Sequence, residues 1–181
     1  PSADRTATNC PPEDLAWVGP LSKVHHQPWY LLLNPNGVEI PSFLELLLRA
    51  QPHHAEDDDR SFYAWVAEQA LVIEHKESQK ETATAWQLNA NRKADGAPHG
   101  HWLSLCEKLR RFRPKHPVHG ILLLLDLSWF AQAEPTEQQQ LAKQVSKTLR
   151  EISAQLQTHT RLYVCATHLE SIAGYHAWHR Q

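Results

Sequence analysis

Residues Pro28–Leu44 read PWYLLLNPNGVEIPSFL, and this stretch decides the fold. Trp29–Leu33 is a short apolar run, which predicts a buried strand. The Asn-Pro-Asn-Gly that follows predicts a tight turn, because these residues favour turn conformations. Pro41 suits the first turn of a helix, where its missing N–H costs little. Ser42–Ala50 is therefore predicted as a helix, so that strand, turn and helix follow in close succession.

Strand, turn and helix form the framework of a phosphate-binding loop. Such a loop reads G-x-x-x-x-G-K-[ST], in which backbone N–H groups surround the phosphates, the lysine reaches them and the hydroxyl binds Mg²⁺. Here the phosphate-binding residue types are replaced, since a carboxylate stands at the second glycine and an isoleucine at the lysine. The vestigial loop comprises Asn34, Pro35, Asn36, Gly37, Glu39, Ile40 and Pro41.

A carboxylate at the start of a helix opposes a bound phosphate, because both would occupy the positive end of the helix dipole. Glu39 has no lysine beside it to compensate, and Pro41 removes one further N–H donor. Glu39 can instead cap the helix in place of the phosphate. We therefore expect no cofactor, no catalytic residue and no hydrolysis of GTP or ATP.

Composition indicates one globular domain in a chain of 181 residues, with 41% hydrophobic and 21% charged residues. The net charge of −2 gives no electrostatic reason to expect binding to nucleic acid. Three widely spaced cysteines fit neither a disulfide framework nor a zinc site, and we expect buried, reduced thiols. The 13 histidines lack a metal-ligand framework, so no metal site is predicted.

The boundaries of the domain follow from local composition. Residues 1–20 are rich in Pro, Ser, Thr and Asp and are predicted to form a linker or extended arm, followed by one domain over 21–181. No apolar run approaches the roughly 18–20 residues that cross a bilayer, so no direct membrane span is expected in this segment. Because the chain contains no Met, we expect it to be a segment of a longer protein.

Further elements predict an α/β fold with a mostly parallel sheet. Ile121–Leu125 is apolar without alternation, which is typical of a strand covered on both faces. Thr136–Gln157 has apolar residues at three- and four-residue spacing, which predicts a long helix. The other predicted elements are a strand at Leu71–Ile73, a helix through Trp102 and Leu109 ended by Pro114, a strand at Leu162–Ala166 and a short helix at Leu169–Arg180. This order supports a doubly wound or P-loop-like sheet.

Four stretches of the chain resemble one protein family. Trp102–Gly120, WLSLCEKLRRFRPKHPVHG, is similar to the family pattern W-x-x-F-L-x-L-L-x-x-x-R-P-x-x-P-L-N-G. Leu162–Gly174, LYVCATHLESIAG, is similar to VYVLVTKxDLLxGF. Pro28–Gly37 and Ala70–Lys76 match LPWYLVxGPxG and a strand ending in DTAG. The chain thus resembles the cytoplasmic NTPase-like domain of the IcmF/TssM family, inner-membrane scaffolds of bacterial type VI and type IVB secretion systems.

The resemblance implies a P-loop NTPase-like, small-GTPase-like sheet with helices on both faces. Two further nucleotide motifs of the family are altered in this chain. The segment that replaces DTAG begins at Glu74 and ends at Glu77, and we interpret it as a vestigial switch. The vestigial base-specificity motif, which replaces TKxD, contains Thr167, His168 and Glu170. With three motifs altered, the resemblance implies a pseudo-NTPase rather than an enzyme.

By this resemblance, the domain is a non-catalytic scaffold at the cytoplasmic face of the inner membrane, with membrane helices in the parent protein. Its implied partners are the DotU/TssL-type inner-membrane protein and baseplate components. Arg110, Arg111, Arg113 and Lys115 form either a solvated helix end or a docking surface for an acidic partner. One alternative is a divergent GTP or ATP hydrolase, or nucleotide-gated switch, that recruits Lys76 or Arg113. Another is a soluble adaptor outside secretion.

Overall fold

The computed structural model describes residues 26–36, 38, 51–53, 62–75 and 98–179. Six strands and four helices lie in these residues. The strands are β1 (Trp29–Leu33), β2 (Gln51–His53), β3 (Phe62–Val66), β4 (Leu71–His75), β5 (Gly120–Asp126) and β6 (Arg161–Thr167). The helices are α1 (Pro98–Phe112), α2 (Leu127–Gln132), α3 (Pro135–Leu156) and α4 (Tyr175–His179), with a 3₁₀ turn at Leu169–Ser171.

The strands form one six-stranded mixed sheet in the order β2-β3-β4-β1-β5-β6. β1 lies in the centre and pairs in parallel with β4 on one side and β5 on the other. β6 continues the parallel part next to β5, while β2 and β3 pair antiparallel at the opposite side. The predicted α/β class and mostly parallel sheet are confirmed.

α1 and α3 pack on one face of the sheet, here called the helical face. Its core joins apolar side chains of β1, β4 and β5 to one stripe of each helix. The buried helix residues recur at three- and four-residue spacing, as an amphipathic helix requires. They are Trp102, Leu105, Cys106 and Leu109 in α1, and Leu141, Val145, Ile152 and Leu156 in α3. Burial of this stripe supplies the main apolar stabilisation of the described part.

The opposite face, here called the second face, has a smaller core. It contains Leu32, Val38, Trp65, Val72 and Leu124, all buried. Helix Ser42–Ala50, which the sequence predicts from the turn after β1, lies outside the described residues. The prediction of helices on both faces is therefore met on the helical face alone.

A short helix that the sequence analysis did not predict begins directly after β5. Asp126 ends the strand and caps α2, because its Oδ1 accepts a hydrogen bond from the backbone N of Ser128 at 2.8 Å and from that of Trp129 at 3.4 Å. α3 then begins at Pro135, where Glu137 Oε2 accepts a hydrogen bond from the backbone N of Glu134 at 3.0 Å. Two capped helix starts therefore follow β5.

Two features were not predicted, and one prediction needs correction. Gln51–His53 forms a strand, which pairing with β3 creates although its own residues are weak strand formers. α1 begins at Pro98, before the Trp102 through which the helix was predicted. The predicted terminal helix is broken into the 3₁₀ turn and α4, and Gly174 between them has a φ of 88°, which favours glycine. In the described part of the chain, no helix is long and apolar enough to cross a membrane.

Candidate functional site

The described residues of the three segments interpreted from the sequence as vestigial nucleotide motifs lie at one edge of the sheet. β1, β4, β5 and β6 run parallel, so their carboxyl ends lie together. Ligands of open α/β sheets bind at this edge. Asn34, Pro35 and Asn36 follow β1, Glu74 lies near the end of β4, and Thr167, His168 and Glu170 end or follow β6. Gly37, Glu39, Ile40, Pro41 and Glu77 lie outside the described residues.

The side chain of Asn34 forms hydrogen bonds to the backbone of the turn after β1. Its side-chain Nδ2 donates to the backbone O of Val38 at 2.9 Å, and its Oδ1 accepts from the backbone N of Val38 at 2.9 Å. Asn34 is 1% exposed, so both hydrogen bonds are buried. In a working phosphate loop, backbone N–H groups of this turn point at the ligand. Here the N–H of Val38 is already bound to a side chain.

Glu74 is also held inside the protein. It is fully buried in β4, where Trp65 Nε1 donates to its Oε2 at 3.1 Å. Glu74 pairs with Leu32 of β1, two residues before Asn34. Because side chains alternate along a strand, Leu32 and Asn34 lie on the same face. The vestigial switch position thus contributes a buried hydrogen bond to the second-face core beside the closed turn.

Asp126 and His168 connect the ends of β5 and β6. His168 Nδ1 lies 3.0 Å from Asp126 Oδ1, and His168 has a φ of 54°, which is uncommon for a residue other than glycine. Burial alone would raise the pKa of Asp126, but hydrogen bonds from Ser128 and the nearby His168 lower it below its ordinary value. The Ser128 hydroxyl donates to Asp126 at 2.6 Å. Since that hydroxyl bonds to the carboxylate and not to the imidazole, the three residues do not form a nucleophile–base relay.

The remaining residues of the base-specificity motif also make local contacts. Thr167 Oγ1 donates to the backbone O of Leu125 at 3.3 Å, and Ser171 Oγ donates to the backbone O of His168 at 2.6 Å. Glu170 is exposed in the 3₁₀ turn. These contacts stabilise the end of β6 and the turn after it.

The opposite, amino end of the parallel strands is built around Trp29. The Trp29 ring is buried. The centroid of the Phe112 ring lies 6.0 Å from the centroid of the Trp29 ring, and the guanidinium carbon of Arg113 lies 4.7 Å from the Trp29 centroid. His119 binds the Trp29 backbone twice: its Nδ1 accepts from Trp29 N at 3.2 Å, and its backbone N donates to Trp29 O at 2.7 Å. The Arg-Pro segment after α1 is therefore fastened to β1.

The protein environment lowers the pKa of two groups at this end. Burial lowers the pKa of Arg113, whose Nη2 donates to the backbone O of Gln27 at 3.4 Å. Burial, followed by the charges of Arg113 and His116, lowers the pKa of His119. A neutral His119 is the form that can accept the hydrogen bond from Trp29.

The four cations grouped by sequence separate in the structure. Arg111 is exposed and forms an ion pair with Glu107 one helical turn earlier, and Lys115 is exposed after the helix. Arg110 is partly exposed. Arg113 is 9% exposed and packs on Trp29, so its side chain belongs to the interior. The sequence signal that could have indicated this position of Arg113 was the prolines that follow it, because they end α1 and turn the chain back towards the sheet.

An apolar groove lies on the second face, beside a close contact over Gly120. The Tyr30 and Tyr163 rings meet edge to face at 6.0 Å, and a Cβ at Gly120 would lie 2.7 Å from Tyr163. The missing side chain therefore lets the two rings approach each other. The groove has a volume of about 460 Å³ and is lined by Pro28, Tyr30, Gln69, Ala70, Leu122, Tyr163 and Cys165.

The cysteine prediction is confirmed for the two cysteines that the structure describes. Cys106 and Cys165 are free thiols, buried and half-buried, and burial raises the pKa of Cys106 to about 12. Cys10 lies outside the described residues. Trp29, Trp65 and Trp102 are also buried. Across the residues that the structure describes, no three His, Cys, Asp or Glu side chains come together in a way that could hold a metal ion.

Comparison with protein families gives one match. The family model described as IcmF-related N-terminal domain matches residues 97–181, the part from α1 to α4 and beyond. This part contains the Arg-Pro segment, β5, and the Asp126–His168 contact. A search of curated proteins gives no significant match. Over residues 97–181, the chain is therefore similar to the IcmF-related N-terminal domain.

Proposed function

We propose that this chain is a non-catalytic interaction domain in the membrane-complex scaffold of a bacterial secretion system. It joins the inner-membrane complex, through a DotU/TssL-type partner, to baseplate components on the cytoplasmic side. The match of residues 97–181 to the IcmF-related N-terminal domain supports the assignment to a secretion system. The pseudo-NTPase part of the proposal, with its P-loop-like, small-GTPase-like ancestry, is supported by the parallel strands β4-β1-β5-β6 and by the turn that follows the central strand.

One observation carries the non-catalytic assignment: Asn34 binds both backbone groups of Val38 in a buried turn. Phosphoryl transfer depends almost wholly on positioning and on charge stabilisation, which the turn of an active enzyme supplies through free N–H groups and a lysine. A triphosphate would have to break two buried hydrogen bonds to reach the Val38 N–H. Sequence places an alkyl side chain, Ile40, where the lysine would stand.

The hydrolase alternative requires a cation recruited from elsewhere, and Arg113 is poorly placed for that role. It packs on Trp29 at the first residue of β1, whereas the turn begins after the fifth residue. Five strand residues span about 16 Å, which exceeds the reach of an arginine that is already buried. The other named cation, Lys76, lies outside the described residues.

Calorimetry with two kinds of ligand tests the proposal. Titration with Mg²⁺-GTP or Mg²⁺-ATP should give no heat of binding at micromolar protein, whereas the cytoplasmic part of the cognate DotU/TssL-type protein should bind. Charge reversal at the exposed Arg111 and Lys115 and the partly exposed Arg110 should weaken that binding, and the matched reversal of Lys143, Lys147 and Arg150 on α3 should not. Micromolar nucleotide binding would contradict the non-catalytic assignment, and absence of partner binding would contradict the scaffold assignment.

A further inference from the structure

Exposed apolar side chains are concentrated in one part of the described chain. All the large hydrophobic residues that are exposed there fall between Leu162 and Trp178. Three are consecutive in β6: Leu162 is 45% exposed, Tyr163 41% and Val164 58%. Isolated exposed apolar residues are ordinary, but three in a row on one strand mark a surface that another structure covers.

These residues point to both faces of the sheet. Leu162 and Val164 pair with Ile121 and Leu123 and so lie on the helical face. Tyr163 pairs with Leu122 and lies on the second face. A helix docked on one face would leave the other uncovered. A strand added to the edge brings side chains to both faces, so the pattern favours an extended strand as the occupant.

The two outer strands of the described sheet differ in their protection against such pairing. β2 has three residues, and its central residue, Pro52, has no backbone N–H to donate. Short strands and proline are common means of blocking edge pairing. β6 has seven residues, RLYVCAT, with no proline or lysine and one charge, Arg161, at its start. β6 is therefore the unprotected edge.

We propose that the unprotected edge of β6 pairs antiparallel with β6 of a second copy of this chain, about a two-fold axis at Val164. This axis passes through the midpoint of the strand, so all seven residues overlap. It places Val164 opposite its own copy, Tyr163 opposite Cys165, Leu162 opposite Ala166 and Arg161 opposite Thr167. No like charges face each other, and apolar residues meet apolar residues, which is the arrangement that stabilises cross-strand pairs. The closed symmetry gives a dimer with one continuous sheet.

Mass measurement tests the dimer directly. Sedimentation of the whole chain at tens of micromolar should give twice the 20.7 kDa of one copy. Val164→Lys places two ammonium groups opposite each other and should raise the dimer dissociation constant at least tenfold. Ile172→Lys makes the same chemical change at an exposed apolar residue outside β6 and should leave it unchanged. Circular dichroism checks that both variants remain folded.

Cross-linking tests the register. Val164→Cys, in a background with Cys10→Ser and Cys165→Ser, places two thiols about 5 Å apart at the Cβ atoms and should oxidise to a covalent dimer. Cys106 can stay, because burial raises its pKa to about 12 and keeps it unreactive. Arg161→Cys in the same background is the matched control, since its two copies lie about 20 Å apart in this register.

The possible outcomes separate clearly. A dimer that Val164→Lys dissociates and that Val164→Cys, but not Arg161→Cys, cross-links supports the proposal. A monomer at all concentrations overturns it, and so does a dimer that Val164→Lys leaves intact. Open-ended assembly, or equal cross-linking at positions 161 and 164, overturns the two-fold register.

Discussion

At the amino end of β1, Trp29 is enclosed by Phe112, Arg113 and the backbone of His119, whereas at the carboxyl end Asn34 bonds to the turn that follows. Both ends are buried and internally bonded. The amino end holds together segments far apart in sequence, and the carboxyl end holds a single turn. The Arg-Pro pair, which belongs to one of the four stretches that resemble the family, lies at the amino end. Asn34, Glu74 and His168, which belong to the altered motifs, lie at the carboxyl end, where ligands of open α/β sheets bind.

Under the pseudo-NTPase proposal, this difference shows how a fold keeps its framework after its ligand chemistry is lost. A phosphate stabilises the turn that binds it, so a turn without phosphate needs another partner for its backbone groups. Asn34 supplies that partner to Val38, and Asp126 supplies one to the start of α2. The amino end needs no such replacement, because no ligand contributes to its packing.

Truncation of Trp29 should give the largest effect. Trp29→Ala removes a ring that is 1% exposed and leaves a cavity between β1 and the end of α1, and we expect a loss of about 3–5 kcal/mol in the free energy of unfolding. Urea denaturation measures it. Trp178→Ala is the matched control: its ring is 72% exposed, and it should change stability by about 0.5 kcal/mol or less. A loss below about 1 kcal/mol for Trp29→Ala would contradict the role given to the amino end.

Removal of the Asn34 side chain should have a smaller effect. Asn34→Ala leaves the N–H and C=O of Val38 without their partner, and we expect a loss of about 1–3 kcal/mol in the free energy of unfolding. Asn34→Asp keeps the acceptor for the N–H but faces the Val38 carbonyl with an oxygen, so it should fall between Ala and the native residue at neutral pH. Urea denaturation of the two variants in parallel checks this order. Equal stability of Asn34→Ala and the native chain would show that the turn does not depend on this side chain.

Acidification should reduce the stability that the amino end and the carboxyl end contribute at different pH values. We expect this to be the smallest of the three effects on stability. The pKa of His119 lies below its ordinary 6.5 in the folded protein, so the unfolded chain binds the proton first and stability falls as pH drops below about 6.5. The pKa of Asp126 lies below 3.8, so its contribution is complete above that value and is lost at lower pH. The amino end therefore responds first.

Thermal melts across pH 3–7 measure this response. His119→Asn keeps an acceptor for the Trp29 N–H without a titrating group, and it should flatten the stability curve just below pH 6.5. Asp126→Asn should leave that part of the curve unchanged and alter only the part near and below pH 3.8. An unchanged slope in His119→Asn would show that other groups cause the loss.

Much of the fold could be predicted because its elements carry strong local patterns. Ile121–Leu125 has no alternation and lies inside β5, and the predicted helix Thr136–Gln157 differs from α3 by one residue at each end. β2 could not be predicted, since pairing with β3 creates it. The apolar run of β6 was correctly predicted as a strand, but an apolar sequence does not show whether its side chains are covered.

The altered motifs of the candidate site could be identified from the sequence, but their arrangement could not. Their position at one edge follows from the parallel pairing of β1, β4, β5 and β6, which brings the carboxyl ends of these strands together. The Asp126–His168 contact joins residues 42 apart, which no local pattern indicates. Arg113 was grouped with its cationic neighbours because sequence proximity suggests a shared surface. Its position on Trp29 depends on the return of the chain from α1 to β1.

The central place of β1 has a consequence for the synthesis of the protein. Trp29 is translated before its partner His119, which follows 90 residues later. At about 5–20 residues per second, the apolar strand waits roughly 5–20 s on the ribosome before β5 can cover its second edge. During that interval β1 is an exposed, aggregation-prone segment of the nascent chain. Chaperones that bind emerging apolar strands therefore have a defined period in which to act on it.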